Sequence, residues 1–113
     1  MAIQTKRIYD PPAIGDGFRI LVDRLWPRGV SKDGAKLDLW LKEVAPSTEL
    51  RTWFHHEEAN FAEFEVRYRA ELDHNEAVEE LRALVAQHDP VTLLYGARDA
   101  RLNQAVVLAD YLG

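Results

Sequence analysis

Val91-Thr-Leu-Leu-Tyr95 is β-branched at its start and has no polar alternation that would let one side face water. Bounded by Asp89-Pro90 and Gly96, such a run reads as a strand buried on both faces, the position of a central strand in a parallel sheet. Parallel neighbours cannot be joined by a tight turn; they need a crossover of a dozen residues or more, usually helical. A second apolar run, Phe18 to Val22, is interrupted only by Arg19, and the chain between the two runs is long enough for that crossover. Ile3 to Tyr9 alternates loosely and stops at Asp10-Pro11-Pro12, which predicts a short first strand whose direction is not encoded.

The rest of the chain has helical spacing. Leu37, Trp40, Leu41 and Val44 predict a helix ended by Pro46. Ser47 or Thr48 can cap a short helix that buries Leu50, Trp53 and Phe54. From Glu57 a longer helix carries Phe61, Phe64, Tyr68 and Leu72. Asn75 opens another, with Val78, Leu81, Leu84 and Val85, closed by His88-Asp89-Pro90, and Asn103 opens the last, Gln104 to Leu112. The expectation is an α/β fold: a small, mainly parallel sheet of three readable strands, with room for a fourth, covered by about five helices in a single domain spanning 1–113.

Composition narrows the function classes. With 47% hydrophobic residues the chain can build a core without metals or disulfides, and the absence of cysteine removes thiol nucleophiles and thiolate metal sites. No apolar run approaches the roughly 18 residues of a membrane span, and the first residues lack a secretion signal's apolar centre, so a cytoplasmic location is expected. A net charge of -5 disfavours nucleic acid, whose affinity rests on phosphate neutralisation. The cations are partly segregated, however: Arg19, Arg24, Arg28 and Lys32 fall together, as do Arg98 and Arg101, while much of the acid lies between Glu57 and Glu80. A basic pocket in an acidic body suits a small anion, a phosphate or nucleotide, better than a duplex. A homodimer through an apolar helix face stays open.

If the second and last strands are parallel, their carboxyl ends share an edge, where α/β sheets bind ligands. That would bring Asp23-Arg-Leu-Trp-Pro-Arg-Gly29 beside Tyr95-Gly-Ala-Arg-Asp99. Arg24 and Arg28 flank Trp26-Pro27 and could fork onto an anion while Trp26 stacks on its ring; they could equally pair with acids while Trp26 packs. Arg98 and Asn103 could complete an anion site at the final helix, although plain N-capping by Asn103 is the commoner role. Tyr95 could turn its hydroxyl into the pocket or into the core. Asp23, Asp99 and His55 are the available proton carriers, and the two aspartates could instead be fixed partners of arginines. Arg51, one turn before His55, could line the pocket with it. Adjacent histidines on a helix project about 100° apart and seldom chelate one ion, and no His-Glu-x-x-His pattern is present, so neither a metal nor a cofactor is expected.

The runs Val22-Asp-Arg-Leu-Trp-Pro-Arg-Gly29, Trp40-Leu-Lys-Glu-Val-Ala-Pro-Ser47, Leu50-Arg-Thr-Trp-Phe-His55 and Val91-Thr-Leu-Leu-Tyr-Gly-Ala-Arg-Asp99 resemble the YeaO-like family, domain of unknown function 488. The resemblance covers nearly the whole chain and implies an α/β fold in a bacterial protein. It carries no catalytic residues to transfer. Longer relatives place a Cys-His-Arg motif after the last strand; here Asn103 occupies that region, so the resemblance implies no thiol mechanism. The expected role is a small-anion binder at the strand ends, either simply a binder or a non-redox hydrolase or transferase. The alternatives are a non-enzymatic regulatory or protein-interaction domain and, less favoured, a nucleic-acid-associated protein.

Overall fold

The computed structural model describes residues 3–113. Its frame is a four-stranded parallel sheet. In chain order the strands are β1 (Ile3–Arg7), β2 (Phe18–Leu21), β3 (Leu39–Trp40) and β4 (Val91–Tyr95), and in space the order is β1-β4-β2-β3. As its composition demands, β4 is central and buried at every position. Ile3 and Phe18 both stand opposite Val91, one on each side of it. The ladder continues past the strands through Val22 N–H to Leu94 O at 3.0 Å and Ile8 N–H to Tyr95 O at 2.8 Å.

The first strand is therefore parallel to the others, and the fourth strand is β3. Leu37, Trp40, Leu41 and Val44 do not form the expected helix. Leu39 and Trp40 pair with Ile20 and Leu21 as an edge strand, and Lys42–Val44 makes a single 3-10 turn. The local reason lies at its start. Lys36 adopts a left-handed φ of 50°, and the Asp38 carboxylate accepts the Arg19 backbone N–H at 2.9 Å, which docks the segment on β2 before a helix can nucleate.

Helix α1 is one turn, Lys32–Ala35; α2 spans Thr48–Phe54, α3 Phe61–Leu72, α4 Ala77–Gln87 and α5 Gln104–Leu112. Ser47 caps α2 by accepting the Leu50 N–H, and a 3-10 turn over Glu58–Asn60 precedes α3, which starts later than Glu57. Helices α2 to α5 pack with Ile20, Val22, Val91, Leu93 and Tyr95 in the main core. The opposite sheet face is thinner: Ile8, Leu21, Ala35 and Leu94 are covered mostly by the chain after β2, including Trp26, Val30, Leu37 and Trp40. Where β2 begins, Gly17 has φ +64° and its Cα faces the Pro90 carbonyl so closely that an added Cβ would lie 2.1 Å from the oxygen. No helix among the described residues is long and apolar enough to cross a membrane.

Candidate functional site

Because β2 and β4 are parallel neighbours, the loops leaving them meet. Asp23 is the joint: its Oδ2 accepts the Gly96 N–H at 2.9 Å and its Oδ1 accepts from the Gln104 side-chain amide, tying the β2 loop, the β4 loop and α5 together. Gly96 makes this approach possible, since a Cβ there would sit 2.9 Å from Oδ2. The Trp40 indole N–H donates to the Asp23 carbonyl at 2.7 Å, so β3 braces the same residue from the other side.

Above this joint lies a cavity of about 140 Å³ lined by Asp23, Arg24, Arg51, His56 and Gln104 with apolar walls that include Phe54 and Phe64. Arg24 serves as a strut, donating from Nε to Pro46 O at 3.0 Å and from Nη2 to Ala45 O at 3.1 Å, which holds the turn that launches α2. That turn is also fixed by Glu71, which accepts the Ser47 N–H and hydroxyl, and by the buried Tyr68 hydroxyl, which donates to Val44 O at 2.6 Å.

Arg51, on α2, differs from Arg24. Its Nε is buried with no hydrogen-bond partner, and among the described residues its guanidinium joins no ion pair. Asp23 is near enough to feel its charge. Burial pushes the Asp23 carboxyl up to about 6, against the opposing pull of the Gly96 N–H, the Gln104 amide and Arg51. The cavity thus sets a guanidinium whose buried Nε is unmatched beside an acid raised to about 6.

The sequence candidates distribute around this centre. Asp23, Arg24 and Arg51 converge on the cavity. His55 is exposed and ends α2 in a left-handed conformation, φ 49°; His56, φ 53°, is the histidine that reaches the cavity wall. Arg98 and Asp99 lie in an adjoining groove with Glu58, His56 and Leu102. Asp99 Oδ1 accepts the N–H groups of Arg101 and Leu102, and these bonds hold its carboxyl below the usual range. Asn103 is fully buried and caps α5 by accepting the Val106 N–H at 3.0 Å. Tyr95 points into the main core, where burial raises its hydroxyl pKa, with Asn103 within hydrogen-bonding reach. Trp26 packs on the thinner face, edge-on to Trp40, with its indole N–H on Val30 O at 2.7 Å. Arg28 is exposed, and its carbonyl accepts the Tyr9 hydroxyl at 2.8 Å. Gln104 and His56 are cavity residues that sequence reasoning did not single out. Among the described residues no group of three or more histidines and carboxylates could hold a metal ion.

The comparisons agree with the sequence motifs. The family model described as "Inactive DUF488-N3 subclade" matches residues 2–113. The chain belongs to this family. It is 52% identical over 112 residues to the uncharacterized protein YeaO of Escherichia coli, covering 99% of this chain and 97% of that one. It is 42% identical over 110 residues to the uncharacterized protein Rv3073c of Mycobacterium tuberculosis, covering 97% of this chain and 92% of the relative. No solved structure gives a significant match.

Proposed function

We propose that the protein binds a small phosphate-type oxyanion in the cavity beyond the carboxyl ends of β2 and β4, and that it does so as a binder rather than as an enzyme. The observation that carries this reading is the Arg51 guanidinium, which lines the cavity with a buried, unpartnered Nε and joins no ion pair among the described residues. A guanidinium offers five N–H donors in a fork matched to oxyanions, and leaving its buried Nε–H unmatched is costly. An oxyanion supplies both the charge and the acceptors. The free N–H groups of Arg24 can add to its hold, and Asp23, near its titration point, can accept or donate.

Size separates the ligand classes. Pockets for drug-sized molecules run from roughly 300 to 1,000 Å³, so the 140 Å³ here fits an anion of phosphate size and not a whole nucleotide. A role confined to protein contacts would leave the arginines matched to internal acids, yet neither Arg24 nor Arg51 is in an ion pair among the described residues. The description of the family as inactive favours binding over turnover, although proton transfer by Asp23 is chemically available.

Thermal-shift and calorimetric titrations with inorganic phosphate, sulfate and acetate test the reading. With a Kd of about 100 µM, about 10 mM phosphate should stabilise the fold by roughly 2.7 kcal/mol, a rise in Tm on the order of 10 °C for a chain this size. Arg51→Gln should abolish the rise. A chain that none of the three anions stabilises would exclude the proposal.

A further inference from the structure

The adjoining groove extends the candidate site. It has a volume of about 500 Å³ and is lined by His56, Glu58, Gly96, Ala97, Arg98, Asp99 and Leu102. Two of these, His56 and Ala97, also line the inner cavity, so the two spaces meet at a shared wall. We infer that cavity and groove form one bipartite site for a phosphorylated polyol such as a sugar phosphate, with the phosphate inside against Arg51 and the hydroxylated body outside against Arg98, Asp99 and Glu58. This rests on the reading of the inner cavity given above.

Three observations point to a body of this kind. First, the groove is within the volume range of organic-ligand pockets, whereas the cavity alone is below it. Second, the groove presents matched polar chemistry that the fold leaves unused. Among the described residues Arg98 makes no hydrogen bond or ion pair, and both hydrogen bonds to the Asp99 carboxylate fall on Oδ1, leaving Oδ2 as an acceptor. Carboxylates accept from hydroxyls, and an arginine donates to their oxygens, so the pair suits a polyhydroxylated body better than an apolar one. Third, the shared wall is built on a strained turn. His55 and His56 are consecutive non-glycine residues with φ of 49° and 53°. Left-handed conformations cost energy in such residues, and the turn they make is what brings the His56 ring from the end of α2 to the boundary between the two spaces.

Calorimetry with inorganic phosphate and with ribose 5-phosphate reads the two halves separately. The ester should bind about tenfold more tightly than phosphate, and Arg98→Ala should reduce that preference at least threefold. His56→Gly relaxes the left-handed turn and removes the ring; it should raise Tm while also reducing the preference, two effects that a purely structural histidine would not show together. If phosphate binds and the ester binds no better, the bipartite site is refuted while the inner anion site stands. If neither binds, both fall. A preference unchanged in Arg98→Ala and in His56→Gly would also overturn the inference.

Discussion

Arg19 and Arg51 are two guanidiniums drawn into the same small protein with opposite outcomes. Arg19 lies at the amino end of β2, on the thinner face, and all three of its side-chain nitrogens are matched: Nε to Lys36 O at 3.1 Å, Nη2 to Ala35 O at 2.8 Å and Nη1 to Asp16. Asp16 is equally occupied. Burial pushes its carboxyl up, but the Ala13 N–H, Lys6 and Arg19 more than offset this and hold it low. At the carboxyl end, the buried Nε of Arg51 is unmatched, and Asp23 is raised instead of lowered. One end of the sheet is a closed electrostatic lock. The other has the same residue types held open, which is the condition for receiving something from outside.

The contrast can be broken most directly by deletion. Arg19→Met leaves Asp16 buried with only Lys6 to balance it, and removing one partner of a buried pair typically costs about 3 kcal/mol or more. Arg51→Met leaves no acceptor unmatched and should change stability by less than about 1 kcal/mol without ligand. Urea unfolding of both variants decides it, and equal losses would erase the distinction.

Asp23→Asn sharpens the contrast through pH. Folding raises the Asp23 pKa to about 6, so between roughly pH 4 and pH 6 the folded chain keeps a proton that the unfolded chain has released. The Asp23 contribution to stability therefore falls as pH rises through that window, and the penalty is complete above it. Asparagine can keep the Gly96 bond without the charge, so Asp23→Asn should stabilise the fold by on the order of 2 kcal/mol at pH 7.5. The gain should vanish at pH 4, and a gain that does not depend on pH would show that ionisation is not its source. The smallest expected effect is at the cap. Asn103→Ala should cost about 1 kcal/mol, and a loss several times larger would mean that Asn103 also supports the cavity rim.

Much of the fold was legible because buried parallel strands have a composition of their own. Val91 to Tyr95 announced a central strand, and two parallel strands force their exit loops to one edge, which is why Asp23 and Gly96 meet. The edge strand was not legible. Leu37, Trp40, Leu41 and Val44 fit a helical stripe, and a strand of two residues is too short to show alternation; the left-handed Lys36 and the docking of Asp38 on Arg19 separate the two outcomes. At the site, the meeting of Arg51 with Asp23 could be anticipated, but the choice of His56 over His55 could not. It depends on a left-handed turn at two residues that are not glycine, where helical spacing no longer tells which side chain faces inward. Gln104 carries no charge to draw attention, and its partner lies far away in the chain.

The place of β4 between β1 and β2 also dictates how such a chain must be made. Synthesis delivers the amino-terminal segment first, yet until Val91–Tyr95 has emerged β1 has no neighbour and β2 has only the two-residue β3 on one side. For most of its time on the ribosome the nascent polypeptide therefore carries two extended segments with an open edge. Lys6, Arg7 and Arg19 sit within them, and charges in such segments discourage mispairing with other chains. The arginine that locks the finished protein would thus act earlier as a guard against aggregation.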